Sequence, residues 1–302
     1  MTDLDVLVVG PTSENQIVLL DELPRREPHT VFARSSTIAL GGTSAGKALH
    51  LVDRGVATML LTTQGDDATG EGLMDALRGC GIDLRAVRTD GPSERHLNLM
   101  SERGERVSIY LQAAGAIPEE ELRRARATAR EALAQARAVF LDLSELSRRL
   151  IPEVSALAHE VWVDLHDYDG KEAFHRPFLE AADVVLMNGD RIDAPSTYLR
   201  GLVADGKTLA VCTLGARGAI AVGPDGSFAR VEAPKVDVVD PNGAGDAFAA
   251  GVMSHALRVG DAAALTGDAL WEALEAGSAQ AVRAITSHQL SPLLDAPRTP
   301  RP

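Results

Sequence analysis

The sequence predicts an α/β fold, a doubly wound and mostly parallel sheet with a small β-sheet laid over it as a lid. Three observations carry that reading. Largely apolar segments at residues 6–9, 139–143, 161–165, 184–187 and 208–213 alternate with helical stretches, the rhythm of parallel strands covered on both faces. Two pairs of shorter β-like segments, 17–20 with 31–40 and 94–101 with 106–111, have no helix between their members and so form a separate antiparallel element rather than crossovers. A glycine-rich turn at 240–246 opens an alanine-rich helix, and in doubly wound sheets ligands gather at the carboxyl ends of strands.

In chain order, residues 6–9 begin the sheet and stop at Gly10 and Pro11, and a proline-containing loop at 21–28 separates the first two lid segments. Gly41 and Gly42 precede a helix. Residues 57–63 are a further strand, followed by turn residues 64–70 with Asp67 as an N-cap and a helix at 71–78 that Gly79 and Gly81 terminate. Alternation across 94–101 sets Arg95, Leu97 and Leu99 on one face and His96, Asn98 and Met100 on the other, with 102–105 as the hairpin turn. Whichever face covers a cleft supplies ligand contacts, so Arg95, His96 and Asn98 are candidates. The remaining face is a solvated surface or the contact of a homodimer through the lid.

Residues 118–138 form an amphipathic helix laced with i,i+4 charges, and Asp142, Asp164, Asn188 and Thr213 fall at strand carboxyl ends. The stretch from Asp164 to Asp169 gathers carboxylates around His166, which suits loop capping and is also conceivable for a hard cation. A hairpin at 218–231 leads to a β-branched strand at 236–239. The helix beyond Asp246 buries Phe248, Val252 and Leu257 and ends at Gly260, and a last helix spans about 268–285. Residues 288–302 are Pro-rich and aperiodic, an expected disordered tail, which leaves 1–287 as one domain with the lid inserted at 12–40 and 94–112.

The 302 residues, 45% hydrophobic, can bury a large core. A net charge of −13 disfavours nonspecific attraction to nucleic acid or anionic lipid. Cys80 and Cys212 have neither disulfide-framework nor metal-ligand spacing. No apolar run is long enough to span a bilayer, and residues 1–5 lack a signal-peptide pattern, so a cytoplasmic location is expected.

The chemistry concentrates in Asp240-Pro-Asn-Gly-Ala-Gly-Asp246. A strand turning through glycines into a helix points the N–H groups of Gly243, Ala244 and Gly245 into one concavity at the positive end of the helix dipole, a seat for an anion. Asp246 in the first helical turn then reads either as a general base beside a phosphate cradle or as a carboxylate that only complements the dipole. Gly41-Gly-Thr-Ser-Ala-Gly-Lys47 matches most of a P-loop but fails at Ala48, which has no hydroxyl for Mg²⁺.

The 240–246 stretch resembles the second signature of the ribokinase-like, or PfkB, family of carbohydrate kinases, and the resemblance extends from residue 6 to 286. It implies a three-layer αβα architecture. It also implies that Asp246 takes the substrate hydroxyl proton while the amides of Gly243, Ala244 and Gly245 stabilise the transferring phosphoryl group. Gly41, Gly42, Ala48, Leu51 and Gly55 fit the family's first motif, with Gly46 where Asn is usual, so that Gly41, Gly42, Thr43 and Lys47 become sugar-side residues. Ser13 and Asn15 stand where the family holds sugar hydroxyls. Gly65, Asp67 and Gly70 fit a further motif. Asn188 opens the family's Asn-x-x-Glu, but Arg191 occupies the Glu position, leaving Asp190 as a substitute Mg²⁺ contact and Asp240 as one for a monovalent cation such as K⁺. Thr213, Gly215 and Gly218 fit the nucleotide-side turn, with Gly277 and Ser278 beside the adenine. The implied activity is ATP-dependent, Mg²⁺-assisted phosphorylation of a hydroxyl, a primary one, on a small sugar or polyol. A nucleoside kinase of the same fold and a non-catalytic sugar-binding relative remain as alternatives.

Overall fold

The computed structural model describes residues 4–101 and 105–295. The chain begins with β1 (Val6–Val9), then the lid strands β2 (Ser13–Leu20) and β3 (Ser35–Gly41), helix α1 (Thr43–Asp53), β4 (Thr58–Gln64), α2 (Ala68–Leu77) and β5 (Asp83–Arg88). The second lid pair, β6 (Arg95–Ser101) and β7 (Arg106–Gln112), leads to α3 (Glu119–Leu133), β8 (Ala138–Leu141), α4 (Glu145–Leu157), β9 (Val161–Asp164), α5 (Arg176–Ala181), β10 (Val184–Asn188), α6 (Pro195–Ala204) and β11 (Leu209–Thr213). The hairpin β12 (Ala219–Val222) and β13 (Phe228–Val231) precedes α7 (Ala244–Val259), α8 (Gly267–Ile285) and the short α9 (Pro292–Asp295).

The main sheet has the order β13-β12-β11-β10-β9-β8-β1-β4-β5, parallel from β11 to β5 with an antiparallel hairpin at the β13 edge. Its inner strands are rich in apolar residues because each feeds two cores. Val6 and Val8 pack under α1, α7 and α8, whereas Leu7 and Val9 pack under α3 and α4. The same division holds for Val184 and Leu186 against Val185 and Met187. With each buried Val or Leu worth about 1.5–3 kcal/mol, a charge at any of these positions would remove that gain and bury an unpaired ion. The chain winds from β1 out to β5 and then returns to the other side of β1 at β8. Winding therefore reverses at β1, the place where such sheets open a crevice.

The lid has the order β3-β2-β6-β7, and β2 pairs with β6 in parallel, so it is mixed rather than antiparallel. The long excursion through the main sheet between these strands frees them from hairpin geometry. In register, Asn15 lies beside His96, His96 beside Tyr110, and Asn98 beside Ser108, which puts these side chains on one face. Ile38, Leu97, Leu99, Val107 and Ile109 occupy the other.

Several sequence expectations change. Residues 236–239 form no strand: β13 already edges the sheet, and the amides of Val239 and Asp240 turn instead to the Ile285 carbonyl at the end of α8. Strand β3 starts at Ser35, so residues 31–34 precede it. The edge strand β5 was invisible because its charged, alternating sequence lacks an apolar run. Residues 288–295 are packed rather than a loose tail: Ser291 is buried, and the Leu290 carbonyl accepts from the His50 ring. The expected turn at 102–104 and tail residues 296–302 lie outside the described residues.

Candidate active site

Helix α7 starts without a side-chain cap, on Gly243 at φ 77°. A Cβ there would stand 2.7 Å from Leu290 Cδ1, so both the left-handed backbone and the neighbour require glycine. Asp240 shapes the turn by accepting from the Asn242 backbone (2.9 Å) and side-chain amide (2.7 Å). The amides of Gly243 and Gly245 have no hydrogen-bond partner among the described residues, and that of Ala244 makes only a 3.5 Å contact to Pro241. These amides, with Asp246, border a cleft of about 1360 Å³ between the carboxyl edge of the main sheet and the lid. Open donors and a carboxylate thus share one helix start.

Asp246 is 9% exposed and meets Lys47 from the facing helix α1, Nζ to Oδ1 at 2.6 Å. Lys47 is wholly buried, and its ammonium also reaches Asp142 at the end of β8 (3.0 Å) and Asp164 at the end of β9 (3.3 Å). It lies 5.1 Å from the Phe140 ring centroid. Burial alone would strip the lysine of its proton, but Asp142, Asp246 and Asp164 outweigh burial and raise its affinity for the proton. Asp142 also accepts from Ser44 Oγ (2.8 Å), a contact that Gly10 permits because a Cβ at Gly10 would collide with that hydroxyl. Despite burial, Lys47, His166 and Ser44 hold the Asp142 carboxyl well below the usual carboxylate range. Asp246 goes the other way. Its burial, helped by Asp142 and opposed by Lys47 and His166, pushes it from 3.8 up to about 6. His166, at φ 53°, borders the cleft beside Asp142 (3.6 Å) and Asp164 (3.4 Å), and these carboxylates overcome its burial to raise its pKa.

Of the residues singled out on the sugar side, Asn15, Gly42, Thr43, His96 and Asn98 border the cleft. Four do not. Ser13 is buried and donates to Asn15 Oδ1 (2.8 Å), and Gly41 is covered by the Asn15 side chain. Arg95 points outward to Glu14 (2.8 Å), as the alternation requires once His96 faces in. Lys47 lies beneath the cleft among carboxylates, which also removes it from any P-loop role. Gly65, Asp67 and Gly70 form a tie: Asp67 caps α2 through the Gly70 amide and accepts the backbone and hydroxyl of Ser93 just before β6.

Of the residues expected on a nucleotide side, Asn188, Thr213 and Gly215 border the cleft, whereas Gly218, Gly277 and Ser278 do not. Gly218 permits a hairpin approach, since its Cβ would lie 1.9 Å from the Val231 carbonyl oxygen. Gly277 lets α8 close on α7, where a Cβ would meet Phe248 and Val252 at 2.9 Å, and Ser278 is buried beside it. The glycines that suggested a base pocket are packing residues. Residues that the sequence reading did not pick include Tyr110, Ser108 and Arg106, which the lid register places beside His96, Asn98 and Met100 respectively, and Asp142, marked only by its strand-end position.

No group of three or more His, Cys, Asp or Glu suited to a metal occurs among the described residues. Asp190 and Arg191 both border the cleft beside Asn188, and the Arg191 guanidinium pairs with Glu172 (3.0 Å) and Asp169 (3.4 Å). A single carboxylate fits Mg²⁺ that keeps most of its water and phosphate ligands. Asp240 does not border the cleft and is engaged by Asn242. No helix among the described residues is long and apolar enough to cross a membrane.

A mostly parallel sheet under a β-lid, with a carboxylate and open amides at one helix start, defines a ribokinase-like kinase fold. Residues 177–297 match the model of the pfkB family carbohydrate kinases. Acarbose 7(IV)-phosphotransferase of Actinoplanes sp. is 28% identical over 253 residues, 82% of this chain and 84% of its own. A nucleoside kinase of Methanothermobacter thermautotrophicus is 28% identical over 278 residues, 86% and 84% of the two chains. The structure of a microbiome-derived acarbose kinase superposes with a TM-score of 0.79 at 27% identity, covering 98% of this chain and 100% of that one. The chain therefore has the ribokinase-like fold, and over residues 177–297 it is similar to the pfkB family carbohydrate kinases.

Proposed function

We propose that this enzyme transfers the γ-phosphoryl group of ATP to a hydroxyl, a primary one, of a small sugar or sugar-like polyol. The observation that carries the reading is the shared helix start, where Asp246 faces a cleft beside the unpartnered amides of Gly243 and Gly245. Asp246 takes the acceptor's proton as the new O–P bond forms, the bridging O–P bond of ATP breaks, and ADP leaves with the electron pair. The Gly243, Ala244 and Gly245 amides receive the charge on the transferring group. Asn188, Thr213 and Gly215 border the nucleotide side, and Asn15, Gly42, Thr43, His96 and Asn98 the acceptor side. Asp190 would hold Mg²⁺ through water, and the ion supplies charge neutralisation on the phosphates. The carboxylate-rich cleft and the −13 charge make such neutralisation necessary.

A nucleoside acceptor is the second reading. It is favoured by the archaeal nucleoside kinase relative and by the His96–Tyr110 ring pair, with centroids 4.0 Å apart, which offers the cleft an aromatic face. The exposed apolar outer face of the lid, with Ile38, Val107 and Ile109, supports a homodimer formed there. ADP release with a panel of monosaccharides, polyols, acarbose and nucleosides, run with Mg²⁺ and with K⁺ or Na⁺, tests the reading. Phosphorylation of a sugar is the expected result. Turnover of nucleosides alone selects the second reading, and binding without turnover removes both.

A further inference from the structure

In the structure the base of the proposed reaction is not a lone carboxylate. One residue of α1 grips it and the preceding residue makes room for it. Lys47 donates to Asp246 Oδ1 at 2.6 Å from full burial. Gly46 has ordinary helical backbone, yet a Cβ there would stand 3.0 Å from both Asp246 Cβ and Oδ2. Its missing side chain is what lets the carboxylate lie against α1. This is also the position at which the first motif departs from the family resemblance, so the departure has a physical counterpart.

We infer that Gly46 and Lys47 together seat the Asp246 carboxylate, Lys47 by fixing Oδ1 and Gly46 by leaving space for Oδ2, so that the base meets the acceptor hydroxyl in one orientation. The inference rests on the kinase reading above and makes both residues positioning residues rather than substrate contacts. Lys47 stays an ammonium throughout, because Asp142 and Asp164 hold its remaining donors at 3.0 and 3.3 Å. It neither gives nor takes the transferred proton. The groups facing this cluster are Ser44 on α1, Asp142 and Phe140 from β8 and its end, Asp164 and His166 from the end of β9, and Asp246 on α7. Among them Lys47 is the fixed positive charge, so its loss leaves three adjoining carboxylates of which at least one must take up a proton.

The structural alternative is a buried ion cluster that only stabilises the fold, and two variants separate it from the inference. Gly46→Ala adds a better helix former but crowds Asp246, two opposing effects that should leave the protein folded with only a small change in Tm. It should leave KM for ATP unchanged and lower kcat about 10- to 100-fold as the carboxylate is displaced. Lys47→Met should lower kcat about 100-fold and move the acid limb of kcat/KM upward by more than about one pH unit. The double variant Lys47→Met/Asp142→Asn removes one charge of each sign. It should recover Tm but not kcat. Parental kcat and pH profile in Gly46→Ala, or parental kcat in the double variant, would overturn the inference even if Lys47→Met alone does not fold. An unaltered enzyme that phosphorylates no hydroxyl would instead remove the kinase reading, so the two failures are distinguishable.

Discussion

Helices α1 and α7 begin alike and end up with opposite tasks. Each starts on a glycine with positive φ, Gly42 at 97° and Gly243 at 77°, each lacks a side-chain cap, and both start at the carboxyl edge of the same sheet. Helix α1 then buries its first turns: Ser44, Ala45, Gly46 and Lys47 are all inside, and its cation works against the helix dipole, tolerable only because three carboxylates surround it. Helix α7 leaves Gly243, Ala244 and Gly245 accessible and places an anion where the dipole favours one. A glycine-led helix start is thus a neutral scaffold. What decides its use is whether the next turn is packed or left open.

Four outcomes test that contrast, the largest first. Asp246→Asn should lower kcat at least about 1000-fold while ATP affinity, measured by calorimetry, stays nearly unchanged. Near-normal turnover would reduce α7 to a scaffold like α1. Alanine at the two leading glycines should then divide by readout. Gly243→Ala strains an αL position against a flexible Leu290 side chain and should cost about 1–3 kcal/mol with a roughly 100-fold fall in kcat. Gly42→Ala meets backbone, Pro11 O at 2.5 Å and Thr12 Cα at 2.6 Å, so thermal melting should show the larger stability loss there. Equal losses of stability at both sites would erase the distinction.

The pH dependence comes next in size. With Asp246 raised from 3.8 to about 6, the protonated carboxyl cannot act as base, so kcat/KM should fall tenfold per pH unit below about 6. For stability the sign is opposite: between 3.8 and about 6 the folded chain holds this proton more tightly than the unfolded one. The group's contribution therefore declines as pH rises through that window. An activity profile flat down to pH 4.5 would contradict the placement of Asp246. The smallest effect belongs to Arg95→Ala, which should leave both KM values unchanged and shift stability by no more than about 1 kcal/mol, because its partner Glu14 lies on the outer side of the lid.

Where physics acts along the chain, the sequence was readable. Double-sided burial writes itself as continuous apolar runs, so β1, β8, β9, β10 and β11 were legible, and the turn chemistry of Asp240 to Asp246 exposed the amide cradle. Edge strand β5 and the packing of Ser291 were not, since neither depends on a local pattern. The lid residues divided by the same rule. His96 and Asn98 followed from alternation, but alternation alone could not say which face turned inward, so Arg95 was equal to them until the lid had a direction. Gly277 and Gly218 misled because a glycine that admits a ligand and one that admits a neighbouring helix or strand look identical in one dimension. The charged cluster around Lys47 joins residues up to 199 positions apart, and no spacing rule reaches that far.

Leu290 backs Gly243 on one side, and its carbonyl accepts from His50 on the other, so the short segment around α9 is a wedge beneath the Gly243 end of the cleft. Shortening the protein after Ser287, a natural choice for crystallisation given the proline-rich sequence beyond, would withdraw that wedge. The shortened protein should keep its sheet and lose its catalyst.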